Sequence, residues 1–224
     1  SSGYRESGYL TQAVVNFLAL LGWNPGTEQE IFSLDELVQA FSFDRCSKSG
    51  AKFDFEKAKW FNHKYIQETP NDVLAGMLEP ILKEKNISFE KKYVAKVFGL
   101  VKERVNFVKE LWEQASFFFV APTSYDEKTV KKRWKAETPA QLSELISVLQ
   151  NIDDFSSENQ EITVKQWIEG RNYHLGNIMN GFRLAVVGES KGPHMFDISA
   201  LIGKQETIDR LTKAIKEIPA PKNN

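Results

Sequence analysis

Apolar residues recur along this chain at the three- and four-residue spacing that one face of an α-helix requires. In LSELISVLQNI this spacing places five apolar side chains on a single face: Leu142, Leu145, Ile146, Leu149 and Ile152. A second apolar helix is predicted from about Leu10 to Leu21, stopping at Gly22 with Pro25 close behind. The stretch from Ser116 to Pro122, SFFFVAP, is the nearest approach to a strand, but it fits the buried end of a helix equally well. The pattern therefore predicts an all-α fold.

Three helix starts carry their own signals. In IFSLDELVQAF, Ser33 and Glu36 have the spacing of a capping box, in which each side chain bonds the other residue's backbone N–H. The pairs Thr69–Pro70 and Thr138–Pro139 each predict a capping threonine followed by a proline in the first turn. Pro80 is expected to end or kink the helix that follows Pro70.

Composition narrows the class of protein. The 224 residues are 42% hydrophobic and 26% charged, as in an ordinary globular protein, and the formal net charge is −1. Such a charge excludes non-specific coating of nucleic acid but allows a focused binding site. No apolar stretch is long enough to cross a membrane, the first ten residues lack the order of a secretory signal, and Cys46 has no partner for a disulfide. We therefore predict a cytoplasmic location.

Signatures of catalysis or metal binding are scarce. The stretch RCSKSGAKFD, residues 45–54, gathers cations around a glycine, but Lys52 is not followed by the Ser or Thr of a nucleotide-binding P-loop. The three histidines are far apart in sequence and lack cysteine partners or an H-E-x-x-H motif: His63, His174 and His194. The sequence predicts no catalytic residue, metal or cofactor within this chain.

Several stretches carry a specific family resemblance. GYLTQAVVNFLALLGWNPG, EIFSLDELVQAFSFDRCSKSGAKFD and WFNHKYI follow one another between Gly8 and Ile66. Their many fixed spacings resemble the segment after the catalytic domain of bacterial-type glutamyl-tRNA synthetases. Downstream, VKERVNFVKELWEQASFFF and an L-x-G-x-x-x-[ST]-x-x-R-L pattern resemble that family's anticodon-binding region. The HIGH and KMSKS signatures of class I catalytic domains do not occur in this sequence.

The resemblance implies three consecutive helical parts: a stem-contact region at 1–68, a first anticodon-binding subdomain at 69–116 and a second at 117–224. It further implies a C-terminal fragment, inactive alone, of a glutamate–tRNA ligase whose absent catalytic domain uses ATP and Mg²⁺. The implied partner is tRNA(Glu), joined by tRNA(Gln) if the enzyme is non-discriminating. A monomer without membrane association is expected.

The same resemblance implies which side chains meet the anticodon. Arg104 falls where the family places an arginine that reads the third anticodon base, and its planar fork can bond a base edge at two points, as lysine cannot. On a helix its neighbours three and four positions away are apolar, so the alternative is an arginine that packs its stem along a buried face. Further positions that match family contacts are Arg183, Asn180, Lys165, Pro193 and Met195. In the GPHMF turn, backbone groups near Pro193 and the Met195 side chain would pack on a base.

Four cations are weaker candidates for contacts with the tRNA backbone: Lys48, Lys52, Lys132 and Arg133. The last two belong to KTVKKRWK, in which Trp134 would give a base a stacking surface. A solvated surface is the alternative for all four. A different class of function also stays open, namely a helical protein-interaction module that binds no nucleic acid and docks through exposed aromatic residues from Phe117 to Phe119.

Overall fold

The computed structural model describes residues 9–47, 54–108 and 110–221. Over these ranges the chain forms twelve α-helices and three 3₁₀ turns, and its only extended pairing is an isolated bridge between Trp23 and Cys46. The predicted all-α fold is confirmed. No helix in these ranges is long and apolar enough to cross a membrane. The chain divides into two compact units, Ser1–Ala115 and Ser116–Asn224. The finer division at residue 68 stays a prediction.

The first unit holds the first six helices. They are α1 (Thr11–Gly22), α2 (Leu34–Ala40), α3 (Phe55–Glu68), α4 (Asn71–Glu84), α5 (Lys91–Val101) and α6 (Glu110–Ala115). Helix α1 packs on α3 through Phe17, Ala58 and Phe61, and α4 packs on α5. A 3₁₀ turn, Lys102–Arg104, continues α5 and lies against α3. This packing of the turn on α3 positions Arg104, a candidate site residue of this unit.

The second unit is arranged around a central helix. Its helices are α7 (Glu127–Arg133), α8 (Thr138–Gln150), α9 (Ser157–Gly170), α10 (Leu175–Val187), α11 (Met195–Ile202) and α12 (Lys204–Glu217). Helix α10 contacts all five others. Four of its side chains are fully buried: Phe182, Leu184, Ala185 and Val186. Because these side chains are buried, α10 holds the start of the turn that follows it in place.

The predicted capping box is confirmed. The Ser33 hydroxyl accepts the Glu36 N–H at 3.1 Å, and the Glu36 carboxylate accepts the Ser33 N–H at 3.1 Å. The bond from the Ser33 N–H is the main cause that holds the pKa of the Glu36 carboxyl below its usual value, and hydrogen bonds from the side chains of Gln29 and Ser33 add to it.

The two threonine caps are wrong, because each hydroxyl has another backbone partner. Thr69 donates to the Tyr65 carbonyl at 2.6 Å, at the end of α3, and Pro70 takes the capping position of α4. Thr138 lies within α8 and accepts the Lys135 N–H at 2.9 Å. Helix α4 also runs through Pro80 to Glu84, so an end at that proline is wrong, whereas the kink expected as the alternative stays a prediction.

The aromatic run at the start of the second unit is buried. Ser116–Phe118 forms a 3₁₀ turn directly after α6, which excludes the strand and agrees with a buried helix end. Phe117, Phe118 and Phe119 are 3%, 2% and 9% exposed. The interaction-module alternative relied on these rings as an exposed docking surface, and on this point it is wrong.

Candidate nucleic-acid interface

Arg104 lies in the 3₁₀ turn that continues α5. Its side chain is exposed, whereas Val101 and Val105 on either side are fully buried. The expected continuous helix is wrong here, because the backbone becomes extended at Val105, with φ −114° and ψ 125°. The exposed guanidinium does not fit the alternative of an arginine packed along a buried face. Two buried valines thus hold the turn while Arg104 faces solvent.

Two consecutive residues of α3 fix the backbone that follows Arg104. The His63 Nδ1–H donates to the Val105 carbonyl at 2.7 Å. The Asn62 side-chain amide donates to the Asn106 carbonyl, and its oxygen accepts the Leu10 N–H at 2.6 Å. Sequence reasoning missed both as members of the site, although Asn62 belongs to the WFNHKYI stretch, whose residues form a W-x-N-x-x-Y-I pattern.

In the second unit, Arg183 holds a turn. It lies near the end of α10, half-buried, and its Nη1 donates to the carbonyls of Lys191 at 3.0 Å and Pro193 at 2.8 Å. Between them Gly192 has φ +102°, and a Cβ there would lie 3.0 Å from the Phe117 ring. Arg183 therefore supports the backbone of residues 191–193, a role that sequence reasoning did not assign to it.

Lys165 is brought to the same turn from α9. Its Nζ lies 2.6 Å from the Glu161 carboxylate, which is 3.8 Å from the His194 imidazole Nε2. The bond to Lys165 lowers the pKa of the Glu161 carboxyl, with the charge of the same lysine and that of His194 adding to the effect. The carboxylate partly neutralises the cations here, so the positive charge of this region stays local.

The remaining predicted contacts differ in exposure. Asn180 lies one helical turn before Arg183 and is half-buried. Pro193 is buried and Met195 is only 2% exposed, so a Met195 side chain lying on a base does not fit the structure. The exposed member of the turn is His194, whose ring lies 5.6 Å from that of Phe196. Sequence reasoning considered His194 only as a metal ligand.

The structure describes two of the four candidates for contacts with the tRNA backbone. Lys48 and Lys52 lie outside the described residues. Lys132 is exposed and Arg133 half-buried at the end of α7, where cations also stabilise the helix terminus. Trp134 is 2% exposed, so the expected stacking surface is wrong. Over the described ranges, no three His, Cys, Asp or Glu side chains are placed to share a metal ion.

Comparison with known proteins gives consistent matches. Residues 73–215 match the family model of the anticodon binding domain, and residues 1–60 match that of the catalytic domain of class I tRNA synthetases (E and Q). The glutamate–tRNA ligase of Phocaeicola vulgatus is 63% identical over 96% of this chain and 43% of that protein. The glutamate–tRNA ligase of Porphyromonas gingivalis is 60% identical, again over 96% of this chain and 43% of that protein.

A solved structure is also similar. The crystal structure of a glutamate tRNA ligase from Elizabethkingia meningosepticum, in complex with its amino acid, matches with a TM-score of 0.91 and 40% identity. The match covers 96% of this chain and 43% of that chain. This chain therefore spans less than half the length of the relatives it matches.

Proposed function

We propose that this chain, which belongs to the anticodon binding domain family, reads the anticodon loop of tRNA(Glu) as the C-terminal part of a glutamate–tRNA ligase. The observation that carries the proposal is the exposed Arg104 on a turn whose following backbone is bonded to α3. Single-stranded loops are recognised by splaying out bases and hydrogen-bonding their edges. Such reading needs a few donors held rigidly, and a nearly neutral chain can supply them without a broad basic surface.

In the second unit, the turn at residues 191–193 provides a second contact. Arg183 occupies two of its carbonyls from the inner side, which fixes the turn. Lys165, which is exposed on α9 and linked to His194 through Glu161, then contacts phosphate, which positions RNA without reading its sequence. Arg104 is thus the proposed base reader, and the turn is a proposed support for the loop.

The chemistry of the proposed ligase lies in the part outside this chain. There ATP and Mg²⁺ would serve the activation of glutamate and its transfer to tRNA. The proposal further makes the protein a cytoplasmic monomer. Whether tRNA(Gln) is also accepted depends on how strictly Arg104 and its neighbours reject other bases.

The test is a fluorescence-anisotropy titration of a tRNA(Glu) anticodon stem-loop and of a loop altered at the third anticodon base. Arg104→Ala should abolish the preference between the two loops, a loss of about 1–3 kcal/mol, because a bidentate arginine–base contact discriminates by that amount. Lys83→Ala is the matched control, since Lys83 is an exposed cation of the same unit paired only with Glu79. Equal binding of both loops by the unaltered chain, or an unchanged preference in Arg104→Ala, would contradict the proposal.

A further inference from the structure

We propose that Asn62 and His63 are positioning residues for anticodon reading. They hold the turn that carries Arg104 and thereby set its base preference without touching RNA. This inference rests on the proposed function, because it takes Arg104 to be the base reader.

Both the oxygen and the NH₂ group of the Asn62 side chain form hydrogen bonds, and these bonds allow a single orientation of the amide. Its oxygen accepts from the Leu10 N–H and its NH₂ group donates to the Asn106 carbonyl. Rotating the amide would place donor against donor and acceptor against acceptor. With the side chain fully buried, water cannot replace either partner. Asn62 thus links the residue before α1 to the segment just after Arg104.

His63 adds a second anchor at the adjacent carbonyl. A carbonyl can only accept, so the bond to Val105 requires the proton on His63 Nδ1. Neighbouring residues on one helix thereby hold neighbouring carbonyls, at 105 and 106, which fixes the direction of the backbone as well as its position. On the other side, the Glu110 carboxylate accepts the Asn106 N–H at 3.2 Å.

Reading a base at two points requires this rigidity. Recognition groups must stay within about 0.5 Å of their productive geometry, and residues that lock the supporting backbone provide this. Arg104 itself is exposed, so its own packing cannot supply the constraint. The constraint comes from the buried valines and from the two α3 side chains.

The experiment compares four variants in the two-loop titration. His63→Phe keeps a planar ring but removes the donor, whereas His63→Asn places an amide nitrogen close to the position of Nδ1. Asn62→Ala removes both amide bonds. Its matched control is Asn16→Ala, since Asn16 is equally buried in the same unit and bonds Phe32 N–H and the Tyr65 hydroxyl, away from the turn.

We expect His63→Phe to lower the preference for the cognate loop about fivefold, the value of one typical hydrogen bond, and Asn62→Ala, which removes two bonds, to lower it at least as much. His63→Asn should restore it to within about twofold, and Asn16→Ala should keep it even if its melting temperature falls as far. Hydrogen exchange at the backbone amides of residues 105–107 should speed up in His63→Phe and Asn62→Ala only. If Asn62→Ala does not fold, the comparison of His63→Phe with His63→Asn decides whether the positioning role holds.

The outcomes separate the two proposals. If Arg104→Ala loses the preference while His63→Phe and Asn62→Ala retain it, the positioning role is wrong and the proposed function stands. If Asn16→Ala loses the preference equally, general destabilisation explains the effect and the positioning role is also wrong. If the unaltered chain shows no preference, both proposals fail together.

Discussion

Replacing Arg210 by methionine should destabilise the second unit strongly. Arg210 is 3% exposed on α12, and its Nη1 donates to the carbonyls of Phe117 at 2.6 Å and Val186 at 2.9 Å. Methionine reproduces the apolar stem of arginine and has no donor, so the packing of the stem is largely kept while both buried carbonyls lose their charged partner. Glu206, whose bond to Arg210 Nε is also lost, is 43% exposed and can turn to water.

The size of the effect follows from these contacts. A hydrogen bond to a charged group contributes about 1.5–3 kcal/mol, so two such bonds give about 3–6 kcal/mol. Removing the guanidinium also removes its own cost of burial, which offsets part of the loss. We therefore expect the free energy of unfolding of the second unit to fall by about 3 kcal/mol, from the lower end of that range.

The assay is native-state hydrogen exchange at amides of α10 and α12, which reports the second unit separately from the first. Arg171→Met is the control, because Arg171 pairs with Glu144 at the surface with 58% of its side chain exposed, and should change stability by less than about 1 kcal/mol. A loss in Arg210→Met no larger than in this control would refute the reasoning. It would mean that the two carbonyls find other partners when the guanidinium is removed.

Two further predictions concern the second unit. Arg183→Met should speed hydrogen exchange at the amides of Lys191, Gly192 and His194 and weaken binding of both stem-loops alike, since it frees two carbonyls of the turn without removing the proposed base reader; a selective loss for one loop would contradict this. Glu144 accepts hydrogen bonds from the Tyr173 hydroxyl and from Arg171, and the Tyr173 bond is the main cause of its lowered pKa. Because the folded pKa is lowered, the stabilisation is present above the unfolded value of about 4.3 and lost as pH falls through the folded pKa. Glu144→Gln should therefore differ from the unaltered chain in urea unfolding at pH 6 and approach it at pH 3, and a difference independent of pH would contradict the assignment.

Local patterns predicted the helices well because their information lies within a few residues. The capping box at Ser33 needs only Glu36, three positions on, and it is present. Thr69 had the same local signal, yet its hydroxyl bonds the Tyr65 carbonyl behind it. A threonine between two helices can satisfy either the end of one or the start of the next, and the sequence does not distinguish these.

The backbone conformation and the exposure of the candidate site residues could not be predicted from local patterns. The apolar spacing predicts a helix that continues past Arg104, but bonds from α3, more than 40 residues earlier, draw the chain into an extended path at Val105. Similarly, a basic run around Trp134 predicts a stacking surface only if the ring is exposed, and tertiary packing buries it. Long-range contacts decide these points, and neither periodicity nor charge reveals them.

The most specific sequence patterns of this chain contain buried, hydrogen-bonded residues that support the fold. In the closing L-x-G-x-x-x-[ST]-x-x-R-L pattern, Gly203 has φ +92°, the Thr207 hydroxyl donates to the Gly203 carbonyl at 2.7 Å, and Arg210 is buried. In the W-x-N-x-x-Y-I pattern, Asn62 is buried with both ends of its amide bonded. Fixed spacings of this kind are required by buried polar groups, each of which needs its partner at one position. Arg104, the proposed base reader, is exposed and free of that requirement. Family resemblance thus identifies the scaffold, and under the proposed function the choice between tRNA(Glu) and tRNA(Gln) would be made at the few exposed side chains that the scaffold holds.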